Sequence, residues 1–240
     1  MTEKNTPAIT DTSGMPAAAI VIHAENMTIK YYDKKNPRRE PLIDGLSFEL
    51  HAKEWLALCG VPESGKTSLL LALAGLREYW DGEASIFGIP LADRKQRYKS
   101  HLGIVTQQDS LAGKLTVGEN IDFVAALFAA DRHRKAFHEH KQLLIETLGL
   151  ADILGRRFET IGRSDKRRAM TAAALIHDPD LLLLDEVFSQ IEESSIEMIL
   201  QLLKIQQDKG MAVLSTCTPA LPDPADKLIL LGKPKEVKPS

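Results

Sequence analysis

Apolar residues form two kinds of pattern along the chain. Five short runs are predominantly apolar, which is typical of strands buried on both faces of a parallel sheet. These runs lie at residues 55–59, 102–106, 181–184, 211–216 and 227–231. Residues 20–29 also read as a strand, and residues 45–50 alternate apolar and polar positions as a half-buried strand does. The pattern therefore predicts many strands, most of them buried.

Apolar residues at helical spacing follow several of these strands. They occur at residues 66–75, 117–130, 134–148 and 166–176, with Gly75 in the position of a helix stop. Strands that alternate with helices predict an α/β fold with a doubly wound, mostly parallel sheet. We also expect an antiparallel β portion near the N-terminus. Residues 117 to about 165 contain no predicted strand, so we expect a helical subdomain inserted into the α/β core.

The two ends of the chain differ from its centre. Residues 1–19 are rich in Thr, Ser, Pro and Ala and lack the apolar segment of a signal peptide, so we predict a disordered N-terminal tail. We expect one folded domain over residues 20–232 and a short tail over residues 233–240. A membrane-spanning helix needs about 20 consecutive apolar residues, and every apolar run here is far shorter. If the protein works at a membrane, another polypeptide must cross it.

Composition narrows the possible functions. The 240 residues are enough for one large α/β domain with a substantial core. The net charge of −3 gives no overall basic surface, so we expect no nucleic-acid partner. Cys59 and Cys217 both lie in apolar, strand-like runs, so we expect no disulfide framework and a cytosolic setting.

The strongest chemical signal is a loop at residues 60–67, which read Gly-Val-Pro-Glu-Ser-Gly-Lys-Thr. This is the phosphate-binding P-loop pattern (Walker A), and it stands between a predicted buried strand and a predicted helix, as such a loop requires. Backbone N–H groups and the positive end of the helix dipole would surround the phosphates. Lys66 would reach the β- and γ-phosphates, and the Thr67 hydroxyl would ligate Mg²⁺.

A second signal is a strand that ends in two acids. Residues 181–184 are four leucines, and Asp185 and Glu186 follow them (Walker B). Because a buried strand of a P-loop fold ends beside the nucleotide, Asp185 would hold Mg²⁺ through water. Glu186 would polarise the attacking water as a general base. An apolar run before two acids is unspecific by itself, but the P-loop upstream makes the combination specific.

These motifs resemble the nucleotide-binding domain of ABC transporters. The resemblance runs from about residue 21 to residue 231 and is closest to the branch that serves bacterial drug, polysaccharide and ion exporters. Residues 102–107, Leu-Gly-Ile-Val-Thr-Gln, resemble the family's Q-loop, which makes Gln107 the glutamine that senses Mg²⁺ and the permease. Tyr32 falls where the family places an aromatic side chain that stacks on adenine, with Tyr31 as the alternative.

The resemblance implies a P-loop NTPase fold that binds ATP and Mg²⁺ and hydrolyses ATP. It places Tyr32, Gly60, Glu63, Ser64, Gly65, Lys66, Thr67 and Ser68 at the nucleotide, Thr67, Gln107 and Asp185 at the metal, and Lys66, Gln107 and Glu186 in catalysis. It implies transmembrane permease subunits and a second ABC ATPase domain, from the same or a different chain, as partners. It implies no metal beyond Mg²⁺ and a cytoplasmic position, peripheral on the inner face of the cell membrane.

Two family motifs are altered in this sequence. The family's signature Leu-Ser-Gly-Gly-Gln, which meets the partner domain's ATP in a head-to-tail dimer, aligns with residues 161–165, Ile-Gly-Arg-Ser-Asp. Cys217 stands in place of the switch histidine, and a thiol is a weak donor. Further departures are Glu63 for a glycine, Val187 for a proline and Glu192 for an aspartate. Losing an oriented transition-state donor typically costs about 2.7–4 kcal/mol, so we expect slow hydrolysis with ATP binding better preserved.

Three hypotheses about function follow. The leading one is an ATP-hydrolysing subunit that energises an ABC exporter, in a homodimer or paired with a second ATPase chain. The second is an ATP-binding regulatory subunit with little hydrolysis, favoured by the altered signature and Cys217 and opposed by Glu186. The third is a soluble ABC protein acting in assembly or translation, opposed by the single ATPase domain and by the lack of positive charge.

Overall fold

The computed structural model describes residues 19–30, 41–78, 81–93, 97–128, 135–218 and 225–231. The strands are β1 (Ile20–Ile29), β2 (Ile43–His51), β3 (Trp55–Cys59), β4 (Asp81–Ile86), β5 (Ile89–Pro90), β6 (Leu102–Val105), β7 (Leu181–Asp185), β8 (Ala212–Cys217) and β9 (Lys227–Leu230). The α-helices are α1 (Lys66–Leu73), α2 (Val117–Leu127), α3 (Lys135–Thr147), α4 (Arg163–Leu175) and α5 (Glu193–Lys209). The predicted tails, apart from Ala19, lie outside the described residues.

The centre of the fold is a five-stranded sheet in the order β6-β7-β8-β3-β9, with every pairing parallel. Every residue of β3, β7 and β8 is buried. Their largely apolar sequences follow from this position, because a strand covered on both faces meets no water on either. The predicted parallel sheet is confirmed.

A second, antiparallel sheet has the order β2-β1-β4-β5. β1 lies between β2 and β4 and pairs antiparallel with both. The expected antiparallel portion near the N-terminus is therefore present. The patterns above do not include β4, because residues 81–86 read Asp-Gly-Glu-Ala-Ser-Ile and carry too little apolar character to indicate a strand.

Side chains from the two faces of the parallel sheet enter two separate apolar clusters. On one face, Leu181 and Leu183 of β7 pack with α1 and the antiparallel sheet. On the other face, Leu182 and Leu184 pack with residues of α2, α3, α4 and α5. Successive residues of a strand point to opposite faces, so the four leucines supply both clusters. The parallel sheet is thus the middle layer, and packing on both sides fixes its strand ends.

The expected helical insertion lies between β6 and β7. In the described residues of this stretch there is no strand, only an isolated bridge between Thr116 and Arg157. α2 begins with a capping box in which Thr116 and Glu119 satisfy each other's backbone N–H groups. α4 contacts both α2 and β6, so it joins the helical insertion to the parallel sheet. Within the described part of the chain, no helix combines the length and the apolar character needed to cross a membrane.

Two helices differ from the helices that the sequence predicts. The prediction lacks α5, although Ile199, Leu202 and Leu203 form its buried face at helical spacing. α4 begins at Arg163 rather than at residue 166, because Gly162 takes the extended N-cap conformation. The residues aligned with the family signature therefore include the first turn of a helix.

Cys59 and Cys217 form a disulfide, so the expectation of no disulfide is wrong. β3 and β8 are parallel neighbours, and their register places Cys59 beside Cys217 with the two Cα atoms 4.7 Å apart. This separation lies within the range that a disulfide bridges. The cysteines are 158 residues apart in sequence, and only the strand order shows that they are neighbours.

Candidate active site

Most of the predicted site residues meet at one edge of the parallel sheet. β3 leads into the loop of residues 60–65, and β7 ends at Asp185, which Glu186 follows. β8 lies between β3 and β7 and ends at Cys217. Because the three strands are parallel, their carboxyl ends open at the same edge, which is where such sheets bind ligands.

The loop before α1 makes two left-handed backbone turns. Glu63 has a φ of 67° and Gly65 a φ of 94°. A Cβ atom at Gly65 would lie 2.9 Å from the Ile43 side chain, so glycine is required there for space as well as for conformation. At Glu63 the same kind of conformation costs about 1 kcal/mol that a glycine would avoid.

Lys66 is 4% exposed, and its charged end lies inside the loop. Its Nζ donates hydrogen bonds to the carbonyl oxygens of Gly60 at 2.8 Å and Val61 at 3.1 Å. The same nitrogen lies 3.4 Å from Oε1 of Glu186. The ammonium group is therefore held at the loop by oxygen atoms, which phosphate oxygens of a bound nucleotide could replace with stronger, charge-assisted bonds.

The buried hydroxyl of Ser64 supports the assignment of the loop as a phosphate site. Its Oγ is buried, and none of the described residues hydrogen-bonds to it. Buried hydroxyl groups in folded proteins are normally paired. A buried hydroxyl without a partner, next to Lys66 and the start of α1, is consistent with an acceptor group that binds here.

Oxygen ligands suited to Mg²⁺ lie beside this loop. Oγ1 of Thr67 donates to Oδ1 of Asp185 at 3.1 Å, and Oγ1 of Thr216 donates to the same oxygen at 2.8 Å. A hydroxyl next to a carboxylate is the kind of hard-oxygen set that Mg²⁺ prefers, together with phosphate and water ligands. These residues fit Mg²⁺, and Thr67 and Asp185 would hold it.

Glu186 is held from three directions. Its backbone N–H donates to Oγ1 of Thr216 at 3.0 Å. Its Oε2 accepts a hydrogen bond from Nε2 of Gln107 at 3.1 Å, and its Oε1 faces Lys66. The side chain remains 17% exposed. The carboxylate is thus fixed in position and still open to a water molecule, as a general base must be.

Thr216 is a site residue that the sequence patterns did not reveal. It stands beside Asp185 in the register of β7 and β8 and is 2% exposed. Its hydroxyl donates to Asp185 and accepts from the backbone of Glu186. The only sequence signal is a hydroxyl residue at the end of a buried strand, and that signal gains meaning only when β8 is known to lie next to β7.

The residues aligned with the signature make polar contacts within the chain itself. These contacts join Arg163 to Oε1 of Gln190, the Ser164 hydroxyl to the backbone N–H of Glu192, and Asp165 to Arg168. Gly162, at the serine position of the family signature, is the N-cap of α4 and provides no side-chain cap. The first turn of α4 therefore lacks the hydroxyl that the family motif places there.

Cys217 occupies the switch-histidine position with its sulfur bonded to Cys59. The N–H of Gly60 donates to the carbonyl oxygen of Cys217 at 3.2 Å, so the disulfide lies directly next to the phosphate loop. A sulfur atom in a disulfide has no S–H to donate. The side chain at this position thus supplies no donor for a phosphate or a water molecule.

Two parts of the predicted nucleotide site remain predictions, namely the tyrosine that stacks on adenine and Ser68. Tyr32 and its alternative Tyr31 lie outside the described residues. Ser68 is buried in α1, and its hydroxyl accepts a hydrogen bond from Nη1 of Arg77 at 2.6 Å. The Ser68 side chain is thus already engaged with Arg77.

A family model described as ABC transporter matches residues 43–189. The chain belongs to the ABC transporter family. The matched residues include the P-loop, Gln107, Asp185 and Glu186. The resemblance inferred from the sequence is confirmed.

Curated ABC proteins share this part of the chain. Linearmycin resistance ATP-binding protein LnrL of Bacillus subtilis (strain 168) is 31% identical over 196 residues, which cover 82% of this chain and 60% of the relative. Nod factor export ATP-binding protein I of Rhizobium meliloti (strain 1021) is 29% identical over 200 residues, covering 82% and 56%. This chain thus spans little more than half the length of these relatives.

Solved structures support the fold. The structure described as the ATP binding subunit of an ABC transporter superposes with a TM-score of 0.77 at 20% identity, and the match covers 88% of this chain and 85% of that one. A likeness at this level of identity shows the fold. The expected P-loop NTPase architecture, with its parallel sheet, antiparallel sheet and helices, is confirmed.

Proposed function

We propose that this ABC chain is the ATP-binding and ATP-hydrolysing subunit that energises a membrane exporter. The observation that carries the proposal is the convergence of Lys66, Asp185, Glu186 and Gln107 at one edge of the sheet. Each of these side chains contacts another member of the P-loop or Walker B segment at 3.1–3.4 Å. Similarity to the Nod factor export ATP-binding protein supports the export direction.

The residues divide the chemistry between them. The loop backbone and Lys66 would bind the phosphates, and Tyr32 would stack on adenine. Mg²⁺ held by Thr67, Asp185 and Gln107 would offset phosphate charge. Glu186 would accept a proton from a water molecule as that water's oxygen attacks the γ-phosphorus and the bond to the β-phosphate oxygen breaks.

Turnover is proposed to be slow. Cys217 stands where the family has its switch histidine, so the imidazole donor is absent, and the disulfide to Cys59 also removes the S–H. At the start of α4, Gly162 brings no hydroxyl, and Arg163 is bound to Gln190. A missing oriented donor costs roughly 10²–10³ in rate, whereas the phosphate-binding loop and Lys66 are intact. ATP binding is therefore expected to be better preserved than hydrolysis.

Two partners complete the proposal. A second ABC ATPase domain, from a copy of this chain or from another chain, would close the nucleotide between its signature and this P-loop. One or more transmembrane permease subunits would hold the pair at the inner face of the cell membrane. Phe123 and Leu127 on α2 are 55% and 65% exposed and lie one helical turn apart, which suits an apolar contact with such a permease.

The first test is purification of the tagged chain from gently solubilised membranes of its native host. A permease and a second ATPase with an intact signature in the same complex would support a heteromeric exporter. A permease alone would indicate a homodimer in which both sites carry the altered signature. Recovery only from the soluble fraction, without a membrane partner, would refute the transporter function.

The second test concerns the reaction itself. Glu186→Gln removes the base but keeps the shape of the side chain, so MgATP hydrolysis should fall roughly a hundredfold while ATP binding persists. Cys217→His should raise hydrolysis at saturating ATP above that of Cys217→Ser, since both changes break the disulfide and only one adds an imidazole. Equal rates for the two Cys217 variants would show that the missing histidine does not limit turnover.

A regulatory ATP-binding subunit is the second candidate, and the disulfide at the switch position favours it. Such a subunit would close on ATP without turning it over. Transport that is unaltered by Glu186→Gln, in a complex whose partner ATPase is intact, would support this candidate over the catalytic one.

A further inference from the structure

The loop that carries Gln107 is fastened to one helix. Residues 106–109 follow β6 and contain no helix or strand of their own. Lys166 and Arg167, which are consecutive residues of α4, both bind this loop. Nζ of Lys166 lies 2.7 Å from Oδ2 of Asp109. The polar contacts between this loop and α4 thus come from two adjacent residues within one helical turn.

Arg167 makes the inner part of this attachment. It is 6% exposed, and its two Nη atoms donate to the backbone oxygens of Thr106, at 2.5 Å, and of Gln107. Its Nε has no hydrogen-bond partner among the described residues, so the hydrogen bonds of its guanidinium go to these two carbonyl groups. Burial lowers the pKa of Arg167 while the charge of Asp109 opposes this shift, and the side chain stays charged because arginine does not deprotonate in proteins.

The side chain of Gln107 points the other way. Its Nε2 donates to Oε2 of Glu186 at 3.1 Å. One residue is thus bound through its backbone to α4 and through its side chain to the proposed general base. A planar guanidinium that donates to two successive carbonyl groups fixes both the position and the direction of a loop. The ammonium group of a lysine is a single point charge and does not fix the direction.

We propose that Arg167 is a positioning residue that sets the side chain of Gln107 against Glu186 and ties that contact to the first turns of α4. The role rests on the proposed function, because it matters for turnover only if Gln107 and Glu186 act on ATP. α4 starts at Arg163, so Arg167 lies about one turn from the segment aligned with the signature. A shift of that segment is therefore transmitted through Arg167 to the catalytic carboxylate of the same chain.

The neighbouring Arg168 provides a matched control. It has the same charge and lies on the same helix, but it contacts Asp165 and the backbone oxygens of Leu148 and Gly149 rather than the loop. A loss of helix charge or of general packing would therefore follow from changes at either arginine. Of the two arginines, only Arg167 contacts the loop, so only its replacement should change the position of Gln107.

The first experiment measures the loop directly in the full chain. Gln108 is exposed, and both native cysteines are buried in a disulfide, so Gln108→Cys gives a single reactive site for a nitroxide label. Arg167→Met should increase the label's mobility in the electron paramagnetic resonance spectrum. Arg167→Lys should give an intermediate spectrum, because lysine retains the charge and only part of the donor geometry. Arg168→Met should leave the spectrum unchanged.

The second experiment measures MgATP binding and hydrolysis without the label. Arg167→Met should lower kcat about tenfold or more, since misplacing a catalytic group by about 1 Å costs up to 10²-fold. The dissociation constant for MgATP should stay within about twofold. Because Arg167 acts through Gln107, the double variant with Gln107→Ala should be no slower than Gln107→Ala alone.

The positioning role of Arg167 and the catalytic role of Gln107 can be refuted separately. Unchanged label mobility in Arg167→Met, or a double variant whose loss in kcat equals the product of the two single losses, would overturn the positioning role. Wild-type kcat in Gln107→Ala would instead refute the part of the proposed function that places Gln107 in catalysis. The spectra would still decide whether Arg167 holds the loop.

Discussion

Thr216 offers a sharp test of how the site is held together. Replacement by valine keeps the branched shape and removes only the hydroxyl. Thr216 is 2% exposed, and its hydroxyl donates to Oδ1 of Asp185 at 2.8 Å and accepts from the N–H of Glu186 at 3.0 Å. Thr216→Val therefore leaves one carboxylate oxygen with one donor fewer and one backbone N–H without its partner.

The cost can be worked from these two bonds. A hydrogen bond to a charged group contributes about 1.5–3 kcal/mol, and an unpaired buried donor costs about 1–3 kcal/mol. We take the lower end of both terms, because Thr67 still donates to Asp185 and Glu186 is not fully buried. The expected loss is about 2.5 kcal/mol, or roughly 5–10 °C in melting temperature for a chain of this size.

Urea unfolding of the nucleotide-free protein measures this loss. Thr216→Ser is the matched control, because it keeps the hydroxyl and loses one buried methyl group, at a cost of about 1 kcal/mol. Valine should thus be less stable than serine by about 1.5 kcal/mol, with equal m-values. If the two variants unfold within about 0.5 kcal/mol of each other, the hydroxyl does not hold Asp185 and Glu186 as described.

Three further predictions concern other parts of the chain. Glu63→Gly should stabilise the apo protein by about 1 kcal/mol, because it relieves a left-handed backbone at φ 67°. It should also raise MgATP affinity, because it removes a negative charge from the phosphate loop. Glu63→Gln removes only the charge, and equal stability of the two variants in urea unfolding would refute the backbone part. Burial lowers the pKa of His177 to about 4, so the unfolded state takes up a proton near pH 6.5 that the folded state does not. Stability should therefore be lost as the pH falls from about 6.5 to about 4, by up to about 3 kcal/mol. His177→Gln should lack this loss in urea titrations at successive pH values, and an equal loss in both proteins would contradict the assignment. Thiol titration of the denatured protein should find no free thiol at Cys59 and Cys217 before reduction and two after it. Reduction should lower the free energy of unfolding by about 2–4 kcal/mol, because it releases a long loop. Two free thiols before reduction would refute the disulfide.

The parallel sheet and the phosphate loop were readable in the sequence because both rest on local rules. A strand buried on two faces must be apolar throughout, as the run of four leucines before Asp185 is. A P-loop must carry glycine and lysine at fixed spacing between a strand and a helix, and residues 60–67 satisfy that spacing. The fold class and the phosphate site therefore follow from short segments, each of which carries its own signal.

The rest depended on which segments become neighbours. The sequence gives no reason to connect Cys59 with Cys217, or Thr216 with Asp185, until the strand order places β8 between β3 and β7. The same holds for Arg167, whose partners are backbone oxygens of a distant loop and leave no pattern in the sequence. Side-chain type and spacing thus determined the phosphate loop and the two acids. Packing across the sheet decided what holds them in place, because contacts between distant segments arise only when the chain is folded.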